Sequence, residues 1–114
     1  MELNEKIEKK QFDTQLTKEE MKLFMQTVKK IDHKIDHKMA YRTMMNPTRR
    51  DVLKFIGNET RKTEEIKDKF DLDDSQLNYH LSMLKQVLYI LDTETGWKST
   101  PRGIGFLTNT RLSD

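Results

Sequence analysis

Between Asp71 and Lys85 the sequence reads DLDDSQLNYHLSMLK, and its polar members are side chains suited to base edges and phosphates. Leu77, Leu81, Leu84 and Leu88 recur at the spacing of one helix stripe. At 100° per residue, Ser75, Tyr79, Ser82 and Gln86 then point the opposite way. That outward face is short, uncharged and rich in hydrogen-bonding groups, which suits a DNA major groove. Gln76 or Asn78 could hold an adenine through two hydrogen bonds. Ser75 and Ser82 could reach bases or phosphates. Tyr79 could stack or donate to a phosphate, and Lys85 suits a backbone contact. A merely solvated amphipathic helix carries the same pattern, so the neighbouring elements have to decide.

Cations flank this stretch. Arg49, Arg50, Arg61 and Lys62 sit at or near the starts of helices, with Arg61 and Lys62 best placed for phosphates. Lys98 and Arg102, on a hairpin and at its exit, are further candidates for contact with the nucleic-acid backbone. For Arg49 and Arg50 a solvated surface is an equal reading, since surface cations are commonplace. Trp97 reads as the hydrophobic anchor of the hairpin. His80 reads as a boundary residue that packs and makes one hydrogen bond. His33 and His37 stand i and i+4 with Asp36 adjoining, a two-ligand start for a divalent cation. Two ligands do not make a site, so no metal and no cofactor are expected. No nucleophile–base set or phosphate-cradling glycine loop appears, and an enzyme is not expected.

Composition narrows the class. The 114 residues are 34% hydrophobic and 35% charged, enough for one small core plus an extra helix. No stretch approaches the ~20 apolar residues of a membrane span, and the N-terminus has no signal-peptide pattern. Cysteine is absent, which removes disulfides, thiolate nucleophiles and cysteine metal sites. A cytoplasmic protein is the expectation. The net charge is only +2, but Lys38–Lys62 holds seven cations against two acids, and Glu64–Asp74 six acids against two lysines. Such polarity can orient a protein on a polyanion or form local ion pairs.

The positioning elements follow from caps and breaks. Residues 1–16 read as a flexible arm. Thr17 with Glu20 is a capping box that opens a helical segment over 17–45. There Met21, Phe24, Val28, Ile31 and Ile35 form a heptad-like seam. One long helix, or two with a bend near Asp36, fits. The seam is either a dimer interface or a cover over the core, and dimerisation is favoured because a core of about 60 residues is marginal alone. Asn46-Pro47 starts a helix over 47–56 that Gly57 ends, with Val52, Leu53 and Ile56 inward. Thr63 caps a helix over 64–70 with Ile66 and Phe70 inward. Asp73, Asp74 or Ser75 caps the helix over 74–87. Tyr89-Ile90-Leu91 and Trp97-Lys98-Ser99 form a hairpin around Thr93-Glu94-Thr95-Gly96. Thr100-Pro101 opens a short last helix, weakened by Gly103 and Gly105, and 109–114 reads as a loose tail.

The order gives a mainly α fold with a small β-hairpin: a winged helix-turn-helix over 46–108, with a three-helix core, a two-stranded wing and an added N-terminal helix. NPTRRDVLKFIG (Asn46–Gly57), LDDSQLNYHLSML (Leu72–Leu84) and TPRGIGFL (Thr100–Leu107) resemble, in this order, segments of the ArsR-type winged-helix transcriptional regulators. The resemblance implies a homodimer on pseudo-palindromic double-stranded DNA, with the N-terminal helix in the interface, and repression or activation of transcription. The chain departs from that family in lacking a recognisable metal-ligand set, in a wing tip that is not basic, and in a longer region before Asn46.

Two functions are therefore expected. The first is a sequence-specific double-stranded DNA-binding regulator, a repressor, reading the groove with helix 74–87 and with no identifiable small-molecule effector. The second is a winged-helix module for protein contact within a transcription or other multisubunit complex, which the acid-rich 64–74 segment and weakly charged wing favour.

Overall fold

A computed structural model describes residues 14–110. The arm expected over 1–16 lies outside them except for its last three residues, which are coil, and residues 111–114 of the expected tail lie outside as well. Helix α1, Lys18–Val28, begins at the expected capping box: the Thr17 hydroxyl accepts from the Glu20 N–H at 3.2 Å, and Glu20 Oε1 accepts from the Thr17 N–H at 2.8 Å. Helix α2, His33–Met44, begins at Asp32, whose Oδ1 accepts from the N–H groups of Lys34 and Ile35. An aspartate that can satisfy two orphan amides competes with helix continuation. The division thus falls at Lys29–Asp32, ahead of the bend expected near Asp36.

That break undoes the heptad seam. Met21, Phe24 and Val28 stay on α1, Ile31 falls in the connection, and Ile35 stands on α2. Phe24 is 3% exposed within the single chain, whereas Ile35 is 58% exposed. Phe24 is already covered by its own chain and does not offer its ring to a partner.

Helix α3, Pro47–Ile56, follows the cap-and-proline signal. Asn46 Oδ1 accepts from the Arg49 N–H at 3.1 Å, and the Gly57 N–H closes the far end on the Leu53 carbonyl at 2.8 Å. A two-residue strand that the sequence did not suggest, β1 (Thr60–Arg61), leads into α4, Thr63–Phe70. Lys62 rather than Thr63 is the cap residue, and its N–H bonds to Glu65 Oε1 at 3.0 Å. The Thr63 hydroxyl is engaged elsewhere, accepting from Trp97 Nε1 at 2.9 Å.

After a turn with Asp71 in the left-handed region (φ 51°), Asp73 caps α5, Asp74–Gln86. The helix ends in a Schellman closure. The Leu88 N–H bonds to the Lys85 carbonyl at 2.9 Å and the Tyr89 N–H to the Leu84 carbonyl at 3.0 Å. Leu88 therefore is not a fourth rung of the leucine stripe; it is the left-handed turn residue (φ 60°), and it is buried nonetheless.

Strands β2 (Ile90–Thr93) and β3 (Gly96–Ser99) pair antiparallel from Ile90↔Ser99 to Thr93↔Gly96, around a two-residue turn. β1 pairs on the other side of β3, Thr60 opposite Lys98 and Arg61 opposite Trp97. The sheet order is β1-β3-β2, so β3 is central. Helix α6, Pro101–Thr110, completes the described chain and includes Asn109, expected in the loose tail. Val52, Leu53 and Ile56 of α3 meet Ile66 of α4, Leu77, Leu81 and Leu84 of α5, and Ile90 and Trp97 of the sheet in one core. Three packed helices closed by a small sheet with a β2–β3 wing make a winged helix-turn-helix fold, preceded by two helices rather than one. Among the described residues no helix is long and apolar enough to cross a membrane.

Candidate nucleic-acid interface

The α5 leucines, 0–2% exposed, clamp one edge of the helix onto α3, α4 and the sheet. Ser75, Gln76, Asn78, Tyr79, Ser82, Lys85 and Gln86 are all exposed. Tyr79, the aromatic among them, has 58% of its surface free. One of the seven is partly committed. Gln76 Oε1 accepts from the Asp73 N–H at 3.3 Å, while Asp73 Oδ1 accepts from the Gln76 N–H at 2.8 Å. Gln76 thus closes a capping box, a duty that Asn78 does not share. Lys67 of α4 meets Asp74 at 2.7 Å across the turn, and that carboxylate holds the lysine above its usual range.

The flanking cations sort differently from their sequence reading. Lys98 and Arg102, expected at the wing as phosphate contacts, are engaged inside the molecule. Lys98 is 5% exposed on the central strand, and its Nζ meets Glu20 Oε1 of α1 at 2.9 Å. Burial pushes the Glu20 carboxyl up, but the hydrogen bonds from Lys98 and the Thr17 amide outweigh it, and the group sits below its usual range. Arg102 is committed to Asp36 of α2. Arg61 lies over the Phe55 ring at 4.1 Å, donates from Nε to the Phe55 carbonyl, and stands 3.6 Å from Glu65. Lys62 is exposed. Arg50 donates to the Met44 carbonyl at 2.7 Å.

Arg49 is the residue that the sequence reading misplaced. It is 7% exposed, not a surface cation. Its Nε donates to the Thr43 carbonyl at 2.8 Å, and its guanidinium carbon lies 5.5 Å from the Tyr79 ring centre. The signal was in the spacing: Arg49, Val52, Leu53 and Ile56 stand at i, i+3, i+4 and i+7, the inward face of α3. His80, beside Tyr79, is half-buried with its Nδ1 unpartnered. Burial, and then the Arg49 charge, lower its basicity. The two-histidine face of α2 has lost its third candidate, since Asp36 serves Arg102. Among the described residues no group of three histidine, aspartate or glutamate side chains could hold a metal ion.

Apolar side chains also stand free. Leu23 and Met25 of α1, Ile35 and Tyr41 of α2, and Met45 at the end of α2 are each at least half exposed. Tyr41 and Met45 line a groove of about 630 Å³ together with Met44, Tyr89, Phe106 and Leu107.

The helices and turn that carry this face also carry a recognisable signature. Residues 44–88 match the family model of a helix-turn-helix domain. The matched helix-turn-helix domain runs from the end of α2 to the close of α5 and leaves out the wing and α6. No curated protein and no solved structure matches the chain.

Proposed function

We propose that the protein is a sequence-specific double-stranded DNA-binding regulator of transcription, a repressor of the ArsR type, and not an enzyme. The observation that carries this reading is the α5 face. Its hydroxyl and amide groups project from a helix whose opposite edge is sunk in the core, directly after the turn of a helix-turn-helix domain. The ArsR assignment rests on the ordered segments at Asn46–Gly57, Leu72–Leu84 and Thr100–Leu107. Repression is preferred because occupancy of an operator needs nothing beyond the DNA contact. The exposed apolar residues on the two N-terminal helices support a homodimer. The pairing surface then involves Leu23, Met25, Ile35, Tyr41 and Met45 more than the expected Met21, Phe24, Val28 and Ile31.

Selection of bound duplexes from a random pool, followed by titration at several salt concentrations, tests the reading. A recovered motif and an affinity that falls steeply with salt are expected. Absence of duplex binding at low salt overturns it. Asn78, Tyr79 and Ser82 are the positions to replace, because Gln76→Ala also removes a cap. In sedimentation, Tyr41→Glu with Met45→Glu should convert dimers to monomers; an unchanged mass removes the dimer. The second reading, a protein-contact module, is favoured by the internal engagement of Lys98 and Arg102, which leaves the wing without those cations.

A further inference from the structure

A positive charge lies under the middle of the α5 face. Arg49 is more than nine-tenths buried, and among the described residues no carboxylate is in ion-pair contact with it. Its Nη1 is buried without a partner. A desolvated guanidinium is costly unless something negative faces it. What faces it on the protein side is weak: the Thr43 carbonyl at 2.8 Å, in the last turn of α2, where helix carbonyls carry partial negative charge. On the outer side stands the Tyr79 ring, 5.5 Å away, half-exposed on the α5 face. The other charged or titratable neighbour is His80, whose ring sits 5.8 Å from that of Tyr79 and whose protonation the same arginine opposes.

We propose that Arg49 is a positioning residue for Tyr79, and that the Tyr79 hydroxyl donates to a phosphate of the DNA backbone. This rests on the DNA-binding reading above and names the contact that sets how α5 sits in the groove. The Nε bond to α2 fixes the guanidinium, and the guanidinium gives the ring a platform. A phenol hydroxyl held in place by that platform can donate to a phosphate oxygen, and a hydrogen bond to an ionised acceptor is of the strong, charge-assisted kind. The charge that the fold leaves uncompensated is then met by the phosphate on complex formation. Lysine cannot replace this arrangement, since it lacks both the Nε donor and the planar surface.

The test is a cycle of Tyr79→Phe, Arg49→Lys and the pair, measured as affinity for a selected duplex and for the same duplex carrying single neutral methylphosphonates. Tyr79→Phe keeps the ring and loses the donor; a loss of about tenfold is expected, as for a hydrogen bond to a charged group. One methylphosphonate should weaken the wild type and leave Tyr79→Phe unaffected. In the Arg49→Lys background Tyr79→Phe should cost nothing further. If Arg49→Lys does not fold, as judged by thermal unfolding, the methylphosphonate comparison between wild type and Tyr79→Phe decides alone. Undiminished binding by Tyr79→Phe, or an unchanged Tyr79→Phe effect in Arg49→Lys, overturns the proposal while the DNA reading stands. A wild-type chain that binds no duplex overturns both.

Discussion

Arg102 grips Asp36 from one nitrogen, Nη2 donating to Oδ1 at 2.8 Å and to Oδ2 at 2.9 Å. Its Nε donates to the Val87 carbonyl at 3.2 Å, and its guanidinium lies 5.6 Å from the Tyr89 ring centre. One side chain therefore joins α2, the end of α5 and the start of α6. Glu20–Lys98 does the same for α1 and the central strand. The two N-terminal helices are tied to the winged body by charge as well as by packing.

Removing the arginine should expose how much that tie contributes. The pair is mostly buried, with side-chain exposures of 26% and 15%, so leaving Asp36 unpaired costs more than loss of a surface bridge. Arg102→Met is expected to lower stability by about 2 kcal/mol, seen as a fall of about 10 °C in the thermal midpoint. Asp36→Asn in the Arg102→Met background should cost little more, because the orphaned charge is then gone. Equal midpoints for Arg102→Met and the wild type would show that the pair contributes nothing.

The Glu20–Lys98 bridge should write itself into the acid limb of the stability curve. The Glu20 carboxyl is held below its ordinary value, so the unfolded chain binds that proton more readily. Its contribution is complete above the ordinary glutamate range and is lost as pH falls through the lowered value. Glu20→Gln should therefore be less stable than the wild type near about pH 7, with the gap closing towards about pH 3. Urea midpoints across that range check it. A gap that stays constant with pH would rule out the Glu20 charge as its source, since glutamine can still close the capping box.

Much of this arrangement was legible in the sequence, and the failures have a common cause. Capping boxes, Asn46-Pro47, Gly57 and the leucine spacing act over short stretches of chain, and they located the start of α1 and both ends of α3 and α5 to within a residue or two, while the end of α1 at Val28 falls well before the bend expected near Asp36. The errors concern which partner a polar group finds across the fold. Thr63 looked like a cap, but Trp97, 34 residues on, takes its hydroxyl. Lys98 looked like a wing cation until Thr60–Arg61 made its strand central and Glu20 met it from 78 residues away. For these no local signal exists. For Arg49 one did: its place on the stripe of Val52, Leu53 and Ile56 outranked its charge.

His80 gives a second pH dependence, of its own sign. Burial and the Arg49 charge depress its basicity, so below the ordinary histidine value of about 6.5 the unfolded chain takes up the proton first. Stability should fall as pH drops from about 6.5 towards the lowered value and then level off with respect to this group. His80→Gln should remove that slope. Titration of the His80 ring resonance by NMR reports the folded value directly. A folded value at or above the ordinary one would contradict the depression.

Gly103 and Gly105 look alike in the sequence, as two residues that weaken a last helix, and the structure separates them. A Cβ on Gly103 would run into the Tyr89 carbonyl and crowd Leu53, whereas one on Gly105 would meet nothing within 4 Å. Gly103 is thus the point at which α6 packs directly on the backbone leading into β2, where the Thr100 N–H also bonds to Tyr89. Gly103→Ala must push the helix away from the sheet and is expected to cost about 2 kcal/mol or more. Gly105→Ala fills open space inside a helix and should gain about 0.5–1 kcal/mol through the lower entropy of the unfolded chain. Denaturant midpoints of the two variants should move in opposite directions. Movement in the same direction would mean that α6 does not seat on Tyr89 as described.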